Sequence, residues 1–255
     1  LREKAPCNLC DALAKLPGIS QMSTGNAIAK PVLRGLYGNR ILITLSGLRF
    51  DNQQWQDEHG LGLASFGLSK AELIKGPMGV LYGSDAMGGV INLIEEEKPE
   101  SNTSQTDLSV NLNSNTLGGL IQAGFKKSVK NKWWRLRAGM ESHADYSNGK
   151  GDRVFNTRFN GYYLKTTYGF EKTKWTSVNN LSAFYNFAGF LLDGFNRIDT
   201  TETRWSRNLE NNPSHRVIIH RMTSENSIII NAQNRLFINA GVQSNIRAES
   251  EGGGT

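Results

Sequence analysis

The order of apolar and polar residues divides the chain into two styles. From residue 1 to about 95, short helical and extended signals follow one another irregularly. Asn8 to Leu16 predicts a helix: Leu9, Leu13 and Leu16 share one face, and Pro17-Gly18 ends it. Val32-Leu33, Ile41 to Leu45, Leu68 to Ile74 and Gly88 to Ile94 predict short strands. Gly76-Pro77 and Tyr82-Gly83 frame a short helix, Met78 to Tyr82. The acidic run Glu95, Glu96, Glu97 follows, and the stretch from Glu95 to Thr103, with Pro99, reads as a linker.

After the linker the period becomes two. Leu108, Val110 and Leu112 alternate with polar residues, as do Ile121, Ala123 and Phe125. Trp134, Leu136, Ala138 and Met140 alternate with Arg135, Arg137, Gly139 and Glu141. Further segments run Leu164 to Phe170, Leu181 to Phe187 and Leu236 to Val242, and another region spans Val217 to Ile230. Tight breaks at Asn115-Thr116 and Lys172 to Lys174 contrast with the long polar stretches Ser142 to Asn160 and Asp193 to Ser214. Short turns on one side and long loops on the other are the layout of an outer-membrane barrel. A soluble β-sandwich also alternates. Here the polar face is rich in Asn, Gly, Ser and Thr, which suits a channel interior, and Trp133, Trp134, Tyr162, Tyr163, Tyr168 and Trp175 fall toward segment ends, as girdle residues do. Pattern alone leaves both architectures open and favours the barrel.

Composition narrows the classes. Mean hydropathy is −0.43, and no stretch reaches the ~18 apolar residues of a spanning helix. Helical membrane spans are excluded; barrel strands are not, because their alternation averages to a soluble-looking value. The chain opens at Leu1 and closes on Gly252 to Thr255, and it reads as a processed or truncated piece. Net charge is +6. The densest basic group, Lys126, Lys127, Lys130, Lys132, Arg135 and Arg137, crosses a hairpin break rather than striping a helix. Nucleic acid is therefore not an expected partner; a basic barrel interior or contact with anionic lipid headgroups is the simpler reading. Cys7 and Cys10 form a C-x-x-C pair. No second Cys pair or nearby His completes a zinc site, so Cys10 is expected to pack within the short helix, with a local disulfide left open. The glycines lack the Lys-Ser or Lys-Thr of a phosphate loop, and no Ser/His/Asp or paired-carboxylate arrangement supports an enzyme.

Several ordered blocks carry a family resemblance. Asn8-Leu9-Cys10-Asp11-Ala12-Leu13 followed by Leu16-Pro17-Gly18-Ile19 resembles the opening of a TonB-dependent receptor plug. So do Val32-Leu33-Arg34-Gly35 and Arg40 to Ile43 leading to Ser46-Gly47. The closest likeness is Glu72-Leu73-Ile74-Lys75-Gly76-Pro77, then Leu81 to Ala86, then Gly88-Gly89-Val90-Ile91-Asn92. The resemblance implies an α+β plug domain over residues 1–97, then antiparallel transmembrane β-barrel strands over 98–255, a partial barrel of about seven strands. It further implies the outer membrane of a Gram-negative bacterium, contact with its lipid, and energised import of a metal ion or a siderophore-like metal chelate. The alternative is a surface receptor, or a receptor for another nutrient, of the same architecture. The partner is TonB, engaged through a segment that precedes the plug and is expected outside this chain. No cofactor is expected; metal enters as substrate.

The resemblance also places candidate residues. Ser20 to Ala27, Leu36 to Arg40 and Arg49 to Gly62 are expected to face outward, which makes Asn39, Arg49, Gln53, Gln54 and Trp55 candidates for ligand contact. Asp57, Glu58 and His59 offer carboxylate and imidazole donors for a divalent ion, with His143, His215 or His220 available to complete the set. An ordinary polar loop is the competing reading. Two departures stand out: Ser46-Gly47 where the family usually has Asp-Gly, and Lys75-Gly76-Pro77 where it has Arg-Gly-Pro. Lys keeps the charge but loses the bidentate fork. Arg34 and Lys75 are expected to pair with barrel carboxylates, with solvated surface charge as the alternative.

Overall fold

In the computed structural model, the described residues are 9–23, 27–51, 63, 67–190, 201–210 and 212–251. The first part is an α+β domain. Helix α1 (Leu9–Leu13) leads into a hairpin of β1 (Ile19–Ser23) and β2 (Ala29–Leu33). A mixed four-stranded sheet follows, built from β3 (Leu42–Leu45), β4 (Leu48–Arg49), β5 (Leu68–Ile74) and β6 (Val90–Glu95), in the order β4-β3-β6-β5. Strands β3 and β6 run parallel; the other two pairings are antiparallel. Leu9, Leu13, Leu33, Ile43 and Ile91 are fully buried and form the heart of the core.

Glycine is required between β5 and β6. A Cβ on Gly88 would meet Ile41 Cγ2 at 2.9 Å, and one on Gly89 would meet the Ile74 carbonyl at 2.7 Å. Only a bare Cα lets β6 pass this closely. Residues Gly76–Tyr82 form a 3-10 helix instead of an α-helix. One expectation is corrected: residues from Ser20 to Ser23 belong to strand β1, paired with β2 from Ile19↔Leu33 to Ser23↔Ala29, and are not loop.

The second part is a single antiparallel sheet of seven strands in sequence order. These are β7 (Ser104–Asn113), β8 (Gly118–Val129), β9 (Lys132–His143), β10 (Phe159–Glu171), β11 (Trp175–Gly189), β12 (Ser214–Ile229) and β13 (Arg235–Ser250). The turns β8–β9, β10–β11 and β12–β13 are short and lie at one end; the connections 144–158 and 190–213 are long and lie at the other. The linker enters at the short-turn end, where Lys98 Nζ lies 2.7 Å from Glu171 Oε2.

The two faces of this sheet reverse the order of a soluble protein. The face toward the first domain buries Arg135, Arg137, Lys165, Thr167, Asn180, Arg221 and Thr223. The opposite face exposes Leu108, Leu112, Leu136, Met140, Leu164, Leu181 and Met222. Apolar-out and polar-in is the pattern of a barrel whose solvent outside is lipid, and it decides against the sandwich. Trp134, Tyr168, Phe170 and Trp175 stack outward in sequence, at centroid distances of 5.8, 6.2 and 4.8 Å, at the short-turn end. Two expected girdle residues are corrected. Trp133 and Tyr163 point inward, because period two places each opposite its outward neighbour, Trp134 or Tyr162.

Candidate functional site

The sheet packs against the first domain through an apolar seam, where Val217, Ile219 and Phe184 meet the first domain's core and Phe159 meets Ile28, and through two sets of polar contacts. The first forms where β6 ends. Glu95 Oε1 accepts from Lys165 Nζ at 2.8 Å and from the Ser46 hydroxyl at 2.5 Å; Glu95 Oε2 accepts from Arg135 at 3.2 Å. Arg137 clamps Glu96 through Nη2 at 2.7 and 2.8 Å, and also pairs with Asp107. Arg135 donates to the Glu96 carbonyl and to Thr167 Oγ1, the latter at 3.2 Å. Thr167 in turn donates to Asn180 at 2.8 Å. Gly124 makes room for this: a Cβ there would collide with the Arg137 guanidinium. Beside the clamp lies a cavity of about 240 Å³, lined by Glu95, Arg135, Glu171 and Glu225 among others.

The second contact set holds the β3–β4 hairpin. Ser46 (φ 54°) and Gly47 (φ 66°) both take left-handed backbone conformations, as a two-residue hairpin turn requires. The turn directs its strand carbonyls at the wall. Arg221 on β12 donates to the carbonyls of Leu45 (2.7 Å), Arg49 (2.9 Å) and Leu48 (3.4 Å). Its guanidinium also sits 5.7 Å from the Phe50 ring centroid. Gln243 Nε2 donates to the Asp51 carbonyl at 2.7 Å. The wall thus grips the root of the segment that follows Asp51.

A third arrangement braces the long-loop end. Asp145, fully buried, accepts from the Thr157 amide at 2.8 Å and from Arg153 Nε at 3.0 Å, and Arg158 closes on its other side. Arg158 continues to Glu202, to Ser206 at 2.8 Å and to the Asn208 carbonyl at 2.9 Å. Asn156 donates to the carbonyls of Phe190 (2.9 Å) and Pro213 (2.7 Å). The connections β9–β10 and β11–β12 are therefore one cross-linked unit.

The sequence-derived candidates scatter. Lys75 donates to the Pro17 carbonyl at 2.7 Å, a contact internal to the first domain. Arg34 is exposed, at φ 51°. Arg49 pairs with Asp85 and lies 3.5 Å from Asp51. Asn39 sits exposed in the 3-10 turn Gly38–Arg40 that leads into β3. Gln53, Gln54, Trp55, Asp57, Glu58 and His59 lie outside the described residues. His143 is buried, 2.7 Å from Thr116 Oγ1 and stacked on Phe159 at 4.4 Å. His215 is buried near Arg247, and His220 is exposed on the outer face. Among the described residues no cluster of three metal-ligating side chains occurs.

Cys10 packs as expected. It is 2% exposed and its thiol donates to the Ala29 carbonyl at 3.2 Å. Burial pushes its pKa well up, and Asp11 adds to this. A thiol held protonated is a poor nucleophile and a poor metal ligand. Cys7 lies outside the described residues.

Glu95 and Glu96, which the sequence assigns to a linker, are the carboxylates that the wall arginines grip. A signal was present: an acidic run ends one part, and an Arg-x-Arg pair lies on one face of a strand in the other.

Comparison with known proteins agrees with this architecture. Residues 1–90 match the family TonB-dependent Receptor Plug Domain. The chain is 31% identical over 133 residues to the vitamin B12 transporter BtuB of Photobacterium profundum, covering 47% of this chain and 21% of that protein. It is 32% identical over 119 residues to an iron-regulated outer membrane virulence protein of Vibrio cholerae, covering 44% of this chain and 18% of that one. The chain thus spans about a fifth of the length of these relatives. In structure it resembles the FrpB iron transporter of Neisseria meningitidis, with a TM-score of 0.73 at 14% identity, over 95% of this chain and 38% of that one. An α+β domain whose residues 1–90 match the plug family, seated against a sheet that is polar inside and apolar outside, gives this chain the fold of a plug followed by seven antiparallel strands of barrel wall, as in the TonB-dependent receptors it resembles.

Proposed function

We propose that the protein carrying this chain imports a metal ion or metal chelate across the outer membrane of a Gram-negative bacterium, driven through TonB. The observation that supports import most is the character of the plug–wall interface. It joins charged and hydrogen-bonded groups beside a cavity to an apolar seam in which Val217, Ile219 and Phe184 pack on the plug core and Phe159 packs with Ile28. The polar contacts exchange for water at modest net cost, so a pull on the plug can loosen that part of the interface before the apolar seam opens. Transport then needs two plug states that differ in these contacts.

The cargo side of the proposal rests on the segment after Asp51. Its root is held by Arg221 and Gln243, and it carries Gln53, Gln54, Trp55, Asp57, Glu58 and His59. With Asn39 and Arg49 these residues offer donors for a metal chelate. A relative named as a vitamin B12 transporter supports a cargo of that kind, a cobalt chelate. Another nutrient carried by the same architecture is the second reading. The test is titration of the full-length receptor with ferric chelates, copper, zinc and cobalamin, followed by uptake in cells with and without TonB. Saturable binding of one metal species, weakened by His59→Ala, supports the proposal. Binding of none, or uptake that persists without TonB, rejects it.

A further inference from the structure

At the long-loop end of the sheet the carboxylates Asp145 and Glu202 are already paired with Arg153 and Arg158, and two further arginines stand beside them. Arg207 donates to the Leu117 carbonyl (2.5 Å), the Trp205 carbonyl (2.7 Å) and the Ser142 hydroxyl (3.2 Å). Arg204 donates to the carbonyls of Asp145 and Asn115 and to the Ser147 hydroxyl. Every acceptor is neutral, and among the described residues neither guanidinium forms an ion pair. Burial, with Arg204 and Arg158 nearby, lowers the pKa of Arg207, and Asp145 offsets this only in part. This is an environment that an added anion would relieve. Between them Trp205 is 66% exposed.

Register shows which side this charge faces. Ser142, Asn160, Phe187 and Arg216 pair in succession across β9 to β12, all on the outward face. Arg207 bonds the first of these, and Arg216 is the last, stacked on Phe187 at 4.9 Å. Three strand spacings separate the ends of this row, about 14 Å. The next outward row, about 7 Å further down the strands, is Met140, Tyr162, Tyr185 and Ile218. Going outward along the strands, the order is therefore apolar, then aromatic, then cationic. That is the order of acyl chains, interface and phosphates in a lipid leaflet.

We propose that Arg204, Trp205, Arg207 and Arg216 form a docking rim for phosphate-bearing lipid headgroups of the outer leaflet. The inference rests on the outer-membrane reading above. Arginine forks suit phosphate oxygens, and an indole at the boundary keeps its apolar body in lipid and its N–H in the headgroup layer.

The test uses the full-length receptor in phosphatidylcholine nanodiscs, with or without phosphatidic acid, and reads retained lipid by native mass spectrometry. Phosphatidic acid should be retained over phosphatidylcholine. Arg207→Gln should lower that preference about tenfold, the effect of one lost charge-assisted contact. Arg216→Gln should lower it severalfold without touching the loop braces, so it carries the test if Arg207→Gln misfolds. Equal retention in the wild type and in both variants overturns the proposal. So does inorganic phosphate displacing the lipid at equal concentration, which would mark a free-anion site. A receptor that does not enter nanodiscs overturns the outer-membrane reading itself, and is distinguishable from loss of lipid preference alone.

Discussion

Arg221 Nη2 on the barrel wall donates to the carbonyl oxygen of Leu45 in the plug at 2.7 Å, across 176 residues of sequence. The same guanidinium reaches the carbonyls of Leu48 and Arg49, so one side chain seats a whole hairpin. Arg221→Met keeps much of the stem and removes every donor. Hydrogen bonds from a charged group contribute roughly 1.5–3 kcal/mol each. The variant should loosen the plug by about that much, read as faster amide hydrogen exchange in residues 42–51 of the full-length receptor. Unchanged exchange there would show that Arg221 does not seat the hairpin.

Glu96 and Arg137 form the tightest part of the clamp at the end of β6. Truncating one partner of such a buried charge pair costs about 2–5 kcal/mol, much of it from the charge left behind. Glu96→Ala should destabilise plug seating accordingly. Glu96→Ala with Arg137→Ala should cost less than the sum of the single changes. A double-mutant cycle on urea-induced plug release measures this, and additive effects would refute direct coupling.

Gly124 should tolerate no side chain while the clamp is closed. Gly124→Ala places a Cβ where the Arg137 guanidinium and its partner Asp107 lie, so Arg137 must shift and its hold on Glu96 weakens. The variant should ease plug release in the same direction as Arg137→Ala, and by less, with the barrel strands intact, as judged by far-UV circular dichroism.

The lipid-facing assignment is tested at Leu136, which is 45% exposed and flanked by Phe125 and Thr166. Leu136→Arg should destabilise folding into bilayers by roughly 2–4 kcal/mol. Arginine is already present one residue away, at Arg135 on the inner face. A neutral outcome at Leu136 would assign that face to water.

Cys10 gives a pH signature. Burial raises its pKa, so the folded plug holds the thiol proton more tightly than the unfolded chain. The resulting stabilisation is fully present below the ordinary thiol pKa of about 8.5 and declines as pH rises above it. Native receptor should resist alkylation of Cys10 by iodoacetamide near pH 8, and denatured receptor should react. Mass mapping of the labelled cysteine checks this; rapid labelling in the native state would contradict the buried thiol.

Much of the fold was legible in the residues themselves. Gly88-Gly89, Ser46-Gly47 and Pro17-Gly18 mark backbone events that depend on their own dihedrals and near neighbours, and the wall strands announce themselves through a period of two. These are local properties, so the sequence by itself determined a plug followed by seven alternating strands. It did not determine which face meets lipid. Trp133 and Trp134 are chemically alike; the period of two puts them on opposite faces, and the plug occupying one side makes the face of Trp133 the inner one. Nor did it determine which charges meet. Lys75 turned to Pro17, while Glu95 and Glu96, taken as linker, received Lys165, Arg135 and Arg137. Lateral neighbours in a curved sheet, and the plug residues that touch it, are set by strand register and docking over long sequence separations. No local signal encodes those distances, so the clamp, the Arg221 grip and the rim arginines were decided by tertiary structure alone.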